Sequence, residues 1–589
     1  MNNTTMRRNN NKKNEEERNS RSSGGDVVTT SAKKRAAPTT PSGGHNKKRK
    51  KTNGGRLAPP RPTEKTRKKR RRREISEEKQ VQVEAQDEGE EAVGEDETEE
   101  ESLRRRGGCK QILPLQARQQ LTKEGLRVLK EADRALRRRS GIHKLRLQAA
   151  DKQLVSPSCS GGGAEASLGR LHLGWTCYVC KKRYDQLHFF YDQLCPWCSA
   201  LNYSKRLDRA NLTGRVALVT GGRVKIGFQC ALRLLRCGAS VIVTTRFPTD
   251  AALRYHAERD FELWQGRLSI YGLDLRGMGM VQLFTQFIAH THSRLDIIIN
   301  NAAQTIRRPP AYYAHLIPVE ATPVTRLPTG IQRLLDNPWN AQNAVDMTQF
   351  KRALDAVQDA QRPGLLQHAP PTPSAVLSLS SPQPGPPLRI SEASALSQVR
   401  LVPGEDDAKA GGELFPARAL DADGQQIDLR PNNTWSARAH EVSGVEVMEV
   451  HAINAVAPYI ITSQLLPLML SHSPRLDKYV VNVSSMEGKF TRPHKDHRHP
   501  HTNMAKAALN MMTCTMAADY ARDNIYINSV DTGWVTNEHA WGKDGWDDFT
   551  PPLDDIDGAA RILQPIFDGV ARGNFMSGLF LKDYSVTSW

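Results

Sequence analysis

No run of 18 or more apolar residues occurs in this 589-residue chain, which excludes a helix spanning a bilayer core. The first thirty residues are rich in Asn, Arg and Glu and have no apolar h-region, so a secretory leader is not expected. Cysteine is scarce: nine in a chain this long are too few for a disulfide scaffold. Beyond the N-terminal region the chain also lacks net charge. Residues 1–150 hold about 39 basic and 22 acidic side chains, roughly +17 of the total +19. The sequence pI of about 9.5 is therefore a property of that region alone. These absences point to a soluble intracellular protein, cytoplasmic or nuclear, with no membrane partner.

Residues 1–110 read as a disordered charged tail. Basic blocks at 47–51 (KKRKK) and 65–73 (KTRKKRRRR) precede an acidic run at 84–101, with too little apolar surface to offset chain entropy. The basic blocks suit nuclear import or contact with a nucleic-acid backbone, or simply a solvated tail. Across residues 111–155, Leu121, Leu126, Leu129 and Leu136 recur at helical spacing among Lys, Arg and Glu. The spacing predicts a basic amphipathic helical segment packed against a neighbour.

Within residues 170–206, Cys177-x2-Cys180 and Cys195-x2-Cys198 stand fourteen residues apart. Two such knuckles bring four thiolates to about 2.3 Å from one tetrahedral Zn²⁺, leaving no position for a catalytic water. The pattern predicts a structural zinc module. A redox CxxC does not require a second pair, and neither pair follows a strand into a helix. His188, in the intervening loop, reads as an ordinary histidine.

From residue 212 to 589 the texture changes to βαβ. Apolar runs at 216–220, 240–244, 268–271 and 296–300 alternate with helix-length amphipathic stretches, the pattern of a doubly wound, Rossmann-type parallel sheet. The alternation breaks over a Pro-rich, low-complexity insertion at 318–441. It resumes with a helix over 450–472, a strand over 479–484, a helix over 502–522, and strands over 526–530 and 578–582. The first strand runs into Thr220-Gly-Gly-Arg-Val-Lys225-Ile226-Gly227. A glycine turn between a strand and a helix N-terminus offers free N–H groups and the positive end of the helix dipole to a phosphate.

The motifs that follow resemble the short-chain dehydrogenase/reductase family. They are Asp274 after the third strand, Asn300-Asn301-Ala302-Ala303 after the fourth, Asn454 in the next helix, Ser485 after Asn482-Val-Ser, and Lys506. The sequence departs from the pattern where Lys225 stands at the middle glycine of the turn and Asp531-Thr532 where a proline is usual. The resemblance implies a nicotinamide dinucleotide held by Thr220, Gly221, Lys225, Ile226 and Gly227, with Asp274 on the adenine side. Asn301, Ala302 and Lys506 would line the rest of the cofactor site. At the end of the second strand, Thr244-Thr245-Arg246 has no acid for a ribose 2′-OH, and Arg246 suits a 2′-phosphate, favouring NADP over NAD.

The resemblance further implies catalysis by Asn454, Ser485 and Lys506. Thr502, however, occupies the position of the family tyrosine, four residues before Lys506. A phenol can exchange a proton near neutrality beside a lysine, whereas an aliphatic hydroxyl cannot. The intervening segment carries His494, His497, His499 and His501, and His501 is the expected replacement donor. Tyr312 and Tyr313 are further candidates. The expected activity is hydride transfer between NAD(P) and a carbonyl or alcohol on a small molecule, in a chain that is also a candidate homo-oligomer. Two other functions stay open: a cofactor-binding sensor or scaffold, favoured by Thr502, and a nuclear nucleic-acid-binding protein using the basic tail and the zinc module.

Overall fold

Branched aliphatic side chains set where this chain extends, and the computed structural model follows them. It describes residues 122–150, 167–346, 348–350, 352, 389–402, 412–421, 423–471, 476–492, 495–536, 538–540 and 550–589. The charged tail, with its import and nucleic-acid motifs, and His494 lie outside the described residues.

Helix α1 (Lys123–Arg138) starts at Thr122, whose hydroxyl accepts the Gly125 N–H (3.1 Å). It lies on β1 (Ser167–Thr176) of an antiparallel hairpin with β2 (Arg183–His188). Asp133 of α1 accepts the N–H groups of His172 (2.7 Å) and Leu173 (2.9 Å). Ile142, after α1, is fully buried with Leu171, Tyr184, Leu187, Tyr191 and Leu194. The amphipathic segment is thus covered by the cysteine module. Helix α2 (Pro196–Leu207) leaves the second knuckle, with Pro196 in its first turn.

The central sheet has eight strands: β3 (Val216–Thr220), β4 (Ser240–Thr245), β5 (Leu268–Gly272), β6 (Ile297–Asn300), β9 (Lys478–Ser484), β10 (Ile525–Asp531), β11 (Leu579–Lys582) and β12 (Ser585–Thr587). The two missing numbers belong to a separate hairpin, β7 (Ala344–Asp346) with β8 (Arg389–Ser391). The order across the sheet is β12-β11-β10-β9-β6-β3-β4-β5, parallel throughout except for β12. The expected doubly wound sheet is present. The chain winds outward from β3 to β5, then crosses back to β6 on the other side of β3. That reversal opens a crevice at the carboxyl ends of β3 and β6.

Helices cover both faces. On one, α3 (Lys225–Arg236) and α4 (Asp555–Arg572) bury Leu234, Leu235, Ile562 and Phe567. On the other, α5 (Met278–Thr291) and α6 (Ala457–Gln464) bury Phe284, Ile288 and Ile461. The single helix expected over 450–472 is broken into Gly444–His451, a π-helical turn Ala452–Val456, α6 and Leu466–Leu470. Pro458 has no N–H to return to the Asn454 carbonyl, so the i→i−4 ladder fails at that residue.

The insertion carries short elements. Trp339 donates Nε1–H to the Gly272 carbonyl at the end of β5 (2.8 Å), and Ser394 Oγ donates to the Arg246 carbonyl (2.7 Å). Its Pro-rich stretch at 363–387 lies outside the described residues.

Candidate active site

Close backbone approach builds the phosphate turn. A Cβ on Gly227 would stand 2.3 Å from the Gly221 carbonyl oxygen and 2.3 Å from Asn301 Nδ2. One on Gly221, which has φ +68°, would stand 2.9 Å from Ala302 Cα. Thr220 locks this turn to the segment after β6: its hydroxyl accepts the N–H groups of Asn301 and Ala302, each at 3.0 Å. Asn301 Nδ2 in turn donates to the carbonyls of Thr220 (3.0 Å) and Gly221 (3.2 Å). Lys225 adopts φ +55°, which explains why glycine suits this position and why lysine carries a backbone cost of about 1–2 kcal/mol. Burial opposes its charge, but Glu538, Asp423, Asp421 and Asp555 outweigh that and raise its pKa.

Beside the turn lies a cavity of about 380 Å³ lined by Gly221, Lys225, Ile226, Gly227, Arg246, Asp274, Asn301 and Ala302, among others. The sequence-predicted cofactor residues therefore converge, apart from Thr220, which acts from beneath, and Lys506. Dinucleotide fits this donor set: a glycine cradle that any Cβ would fill, at a helix N-terminus, with cations on the rim.

Four cations line the cavity, and three are already engaged. Arg223 donates to Asp250 (2.7 Å) and Gln425 (2.6 Å), Lys225 Nζ lies 3.9 Å from Asp423, and Arg308 pairs with Asp428. Arg246 has no carboxylate within ion-pair distance among the described residues. It donates to Tyr313 Oη (2.8 Å) with its guanidinium 4.5 Å over that ring. Tyr313 is thus at the β4 end of the crevice, three strands from β9 and its Ser485. Tyr312 packs beside it against Phe415, so neither tyrosine stands in for the missing donor. Arg223, Arg308 and Gln425 were not singled out by motif, and the last comes from the insertion. Asp274 forms a bidentate pair with Arg276 (Nη2 to Oδ2, 2.7 Å); burial raises its pKa, but Arg276 outweighs that and holds it low.

At the other end, Ser485 caps a short turn, accepting the Glu487 N–H (3.3 Å). Gly488 presses that turn onto the next helix, α7 (Pro500–Tyr520): a Cβ there would stand 2.6 Å from the Lys506 carbonyl carbon. Lys506 Nζ donates to the Val483 carbonyl (2.7 Å), and burial lowers its pKa to about 8. Asn454, at the π turn, accepts the Gln304 N–H (2.8 Å) and donates to the Gln304 carbonyl (2.9 Å). It fixes the strand-end segment that lines the cavity.

Thr502 is buried with its hydroxyl unpartnered. His501 is buried as well, with Nε2 3.9 Å from Glu446, and neither ring nitrogen has a hydrogen-bond partner. Burial, helped by His499 and His451, pushes its pKa down to about 4. At neutral pH it is an uncharged imidazole, against the expectation of an acid near 6.5. His499 stacks on Trp435 (4.0 Å) and its Nε2 lies 3.2 Å from Glu487. Among the described residues, the only group of metal-ligating side chains is Cys177, Cys180, Cys195 and Cys198.

Two family models match, one ahead of the expected insertion and one that begins within its last twenty residues, which places the insertion's end earlier than 441. Residues 215–315 match the short chain dehydrogenase model, and residues 422–555 match the enoyl-(acyl carrier protein) reductase model. The chain belongs to the short-chain dehydrogenase/reductase family. By that membership it is an oxidoreductase. An uncharacterized protein of Acanthamoeba polyphaga mimivirus is 30% identical over 406 residues, 66% of this chain and 71% of that one. A fatty acyl-CoA reductase of Acinetobacter baylyi is 35% identical over 102 residues, 17% of this chain and 34% of its own length. A carbonyl reductase from chicken fatty liver, solved with NADPH bound, is 15% identical with a TM-score of 0.36, covering 64% of this chain and all of that one. No helix of the described residues is long and apolar enough to cross a membrane.

Proposed function

We propose that this protein is an NADP(H)-dependent oxidoreductase acting on a carbonyl or alcohol of a small molecule. One observation carries the cofactor choice: Arg246 is the cavity cation without a carboxylate partner among the described residues, held by Tyr313 at the end of β4. A guanidinium with no carboxylate partner there suits a 2′-phosphate. The bound dinucleotide supplies the hydride. Gly221 to Gly227 hold its pyrophosphate, Asp274 borders its adenine, and Asn301 and Ala302 line its path.

Ser485 holds the substrate oxygen, while Lys506 and Asn454 order the nicotinamide ribose and a water. Thr502 cannot ionise near neutrality. His501 is uncharged there, whereas Lys506, lowered to about 8, changes protonation closest to working pH. The proton route in this reading runs through Lys506 rather than His501. The test is NADPH depletion by the purified protein across a panel of carbonyls, with calorimetry of NADPH and NADH. NADPH-preferring turnover supports the reading; equal affinities remove Arg246 from its role. Tight binding without turnover on any substrate favours a cofactor-sensing protein instead.

The cysteine cluster is read as a structural zinc site. Its four sulfurs lie within 4.8 Å of one another, with Cys180 and Cys195 3.6 Å apart. Sulfurs about 2.3 Å from one tetrahedral ion stand about 3.8 Å apart. Metal analysis should find one zinc per chain, lost in Cys195→Ser; a folded, metal-free wild type removes the site.

A further inference from the structure

The residue that follows the first cysteine reaches out of the zinc module. Tyr178 Oη accepts the N–H of Trp534 (2.8 Å), in the turn that follows β10. Gly533, at φ +77°, brings that turn underneath: a Cβ there would stand 2.5 Å from Leu553 Cδ1 and 3.5 Å from Tyr178 Oη. Leu553 is fully buried in the core of the cysteine module, with Cys177 and Cys198. The module also grips the chain further on. Gln193 Nε2 donates to the Thr550 carbonyl (2.7 Å), Tyr191 Oη to Asp557 (2.5 Å), and Arg206 to Asp554 (2.5 Å).

The segment held this way forms part of the cofactor cavity. Thr536, two residues beyond Trp534, lines it and donates its hydroxyl to Glu538 (2.8 Å). Glu538 also accepts the hydroxyl of Thr305, on the cavity wall (3.1 Å), and is among the carboxylates that keep Lys225 charged. Contacts therefore run from the cysteine cluster through Tyr178 and Trp534 to Thr536, Glu538 and the phosphate turn. Within the module, Tyr178 is fixed by its own N–H, which donates to the Gln193 carbonyl (2.9 Å) and ties one knuckle to the other.

We propose that Tyr178 is a positioning residue for the dinucleotide site: metal held by the four cysteines fixes Tyr178, Tyr178 fixes the turn at Trp534, and zinc and dinucleotide bind cooperatively as a result. The inference rests on the zinc and dinucleotide readings above. Coupling between two binding sites is reciprocal, so it is measurable from either side.

The experiment uses the full chain. NADPH affinity is measured by calorimetry on zinc-loaded and zinc-depleted protein, and zinc affinity by equilibrium competition with a chromophoric chelator, with and without saturating NADPH. Depletion should weaken NADPH about three- to tenfold, the range that one neutral hydrogen bond spans, and NADPH should tighten zinc by the same factor. Tyr178→Phe keeps the ring and removes the acceptor. It should retain one zinc per chain while its coupling falls toward one. A merely structural tyrosine would lower stability without changing the coupling.

Equal NADPH affinity with and without zinc, in protein whose circular dichroism shows it folded, overturns the proposal. So does full coupling in Tyr178→Phe. Metal analysis that finds no zinc in the wild type overturns the zinc reading and this proposal with it. A zinc-loaded wild type that binds no NADPH overturns the dinucleotide reading, and the two failures are told apart by those measurements.

Discussion

The two halves of the sheet keep the family's motifs to different degrees. Around β3 to β6, the phosphate turn keeps both glycines that backbone contact demands, and the one departure, Lys225, keeps the left-handed φ that a glycine would take. Around β9 and β10, Ser485, Lys506 and Asn454 remain, but the phenol has been replaced by a buried threonine. Holding a nucleotide depends on backbone geometry, which tolerates few substitutions. Proton transfer depends on one side chain's pKa, which a single substitution removes. The contrast teaches that binding and turnover in this fold rest on separable elements.

The strongest break of this comparison is Gly227→Val. With a Cβ 2.3 Å from a carbonyl oxygen, the turn must open, and NADPH affinity by calorimetry should fall at least about a hundredfold, while Ser485→Ala leaves it nearly unchanged. A small loss in Gly227→Val would show that the cradle does not hold the cofactor. Next in size is Thr502→Tyr. If the catalytic half lacks only a phenol, turnover of a carbonyl substrate should rise at least about tenfold, toward the hundredfold or more that general acid catalysis contributes. Unchanged turnover in a folded variant would mean that more than the phenol has been lost.

Arg246→Ala should cost at least about tenfold in NADPH affinity with little change for NADH, as expected for one charge-assisted contact of about 1.5–3 kcal/mol. Equal losses for both cofactors would place Arg246 away from the 2′-phosphate. The smallest expected effect is on pH dependence. If Lys506 supplies the proton, carbonyl reduction should stay level below about pH 7, halve near pH 8, and decline about tenfold per unit above it. The sign follows from the ammonium being the donor form. A profile already declining from pH 5 would restore His501, whose pKa is about 4.

Much of the site was legible because its motifs are local. Thr220 to Gly227, Asp274 and Asn301 are each read within a few residues of a strand end, and the structure gathers them at one crevice. Less legible was the helix Asp555–Arg572. Its start is marked by a capping box, in which Asp554 accepts the Asp557 N–H and Asp557 accepts the Asp554 N–H, a signal present in the sequence but easily passed over. The helix expected over 450–472 was continuous in its apolar pattern, and the break at Asn454 follows from Pro458, which periodicity does not register. His501 could not be judged from sequence, since its protonation depends on burial beside Glu446, His451 and His499.

The sequence by itself determined the parallel sheet, the glycine turn, the absence of the catalytic tyrosine and the spacing of the four cysteines. Each is encoded in runs of a few residues whose sterics or chemistry act locally. Only the tertiary structure decided that Arg246 meets Tyr313 and no carboxylate among the described residues, while Arg223 pairs with Asp250 and Gln425, Lys225 with Asp423 and Arg308 with Asp428, the last three partners lying more than a hundred residues along the chain. It also decided that Tyr178 of the cysteine module meets Trp534, 356 residues along the chain. Such contacts form through packing of elements remote in sequence, and no local pattern of residues encodes which of them will touch.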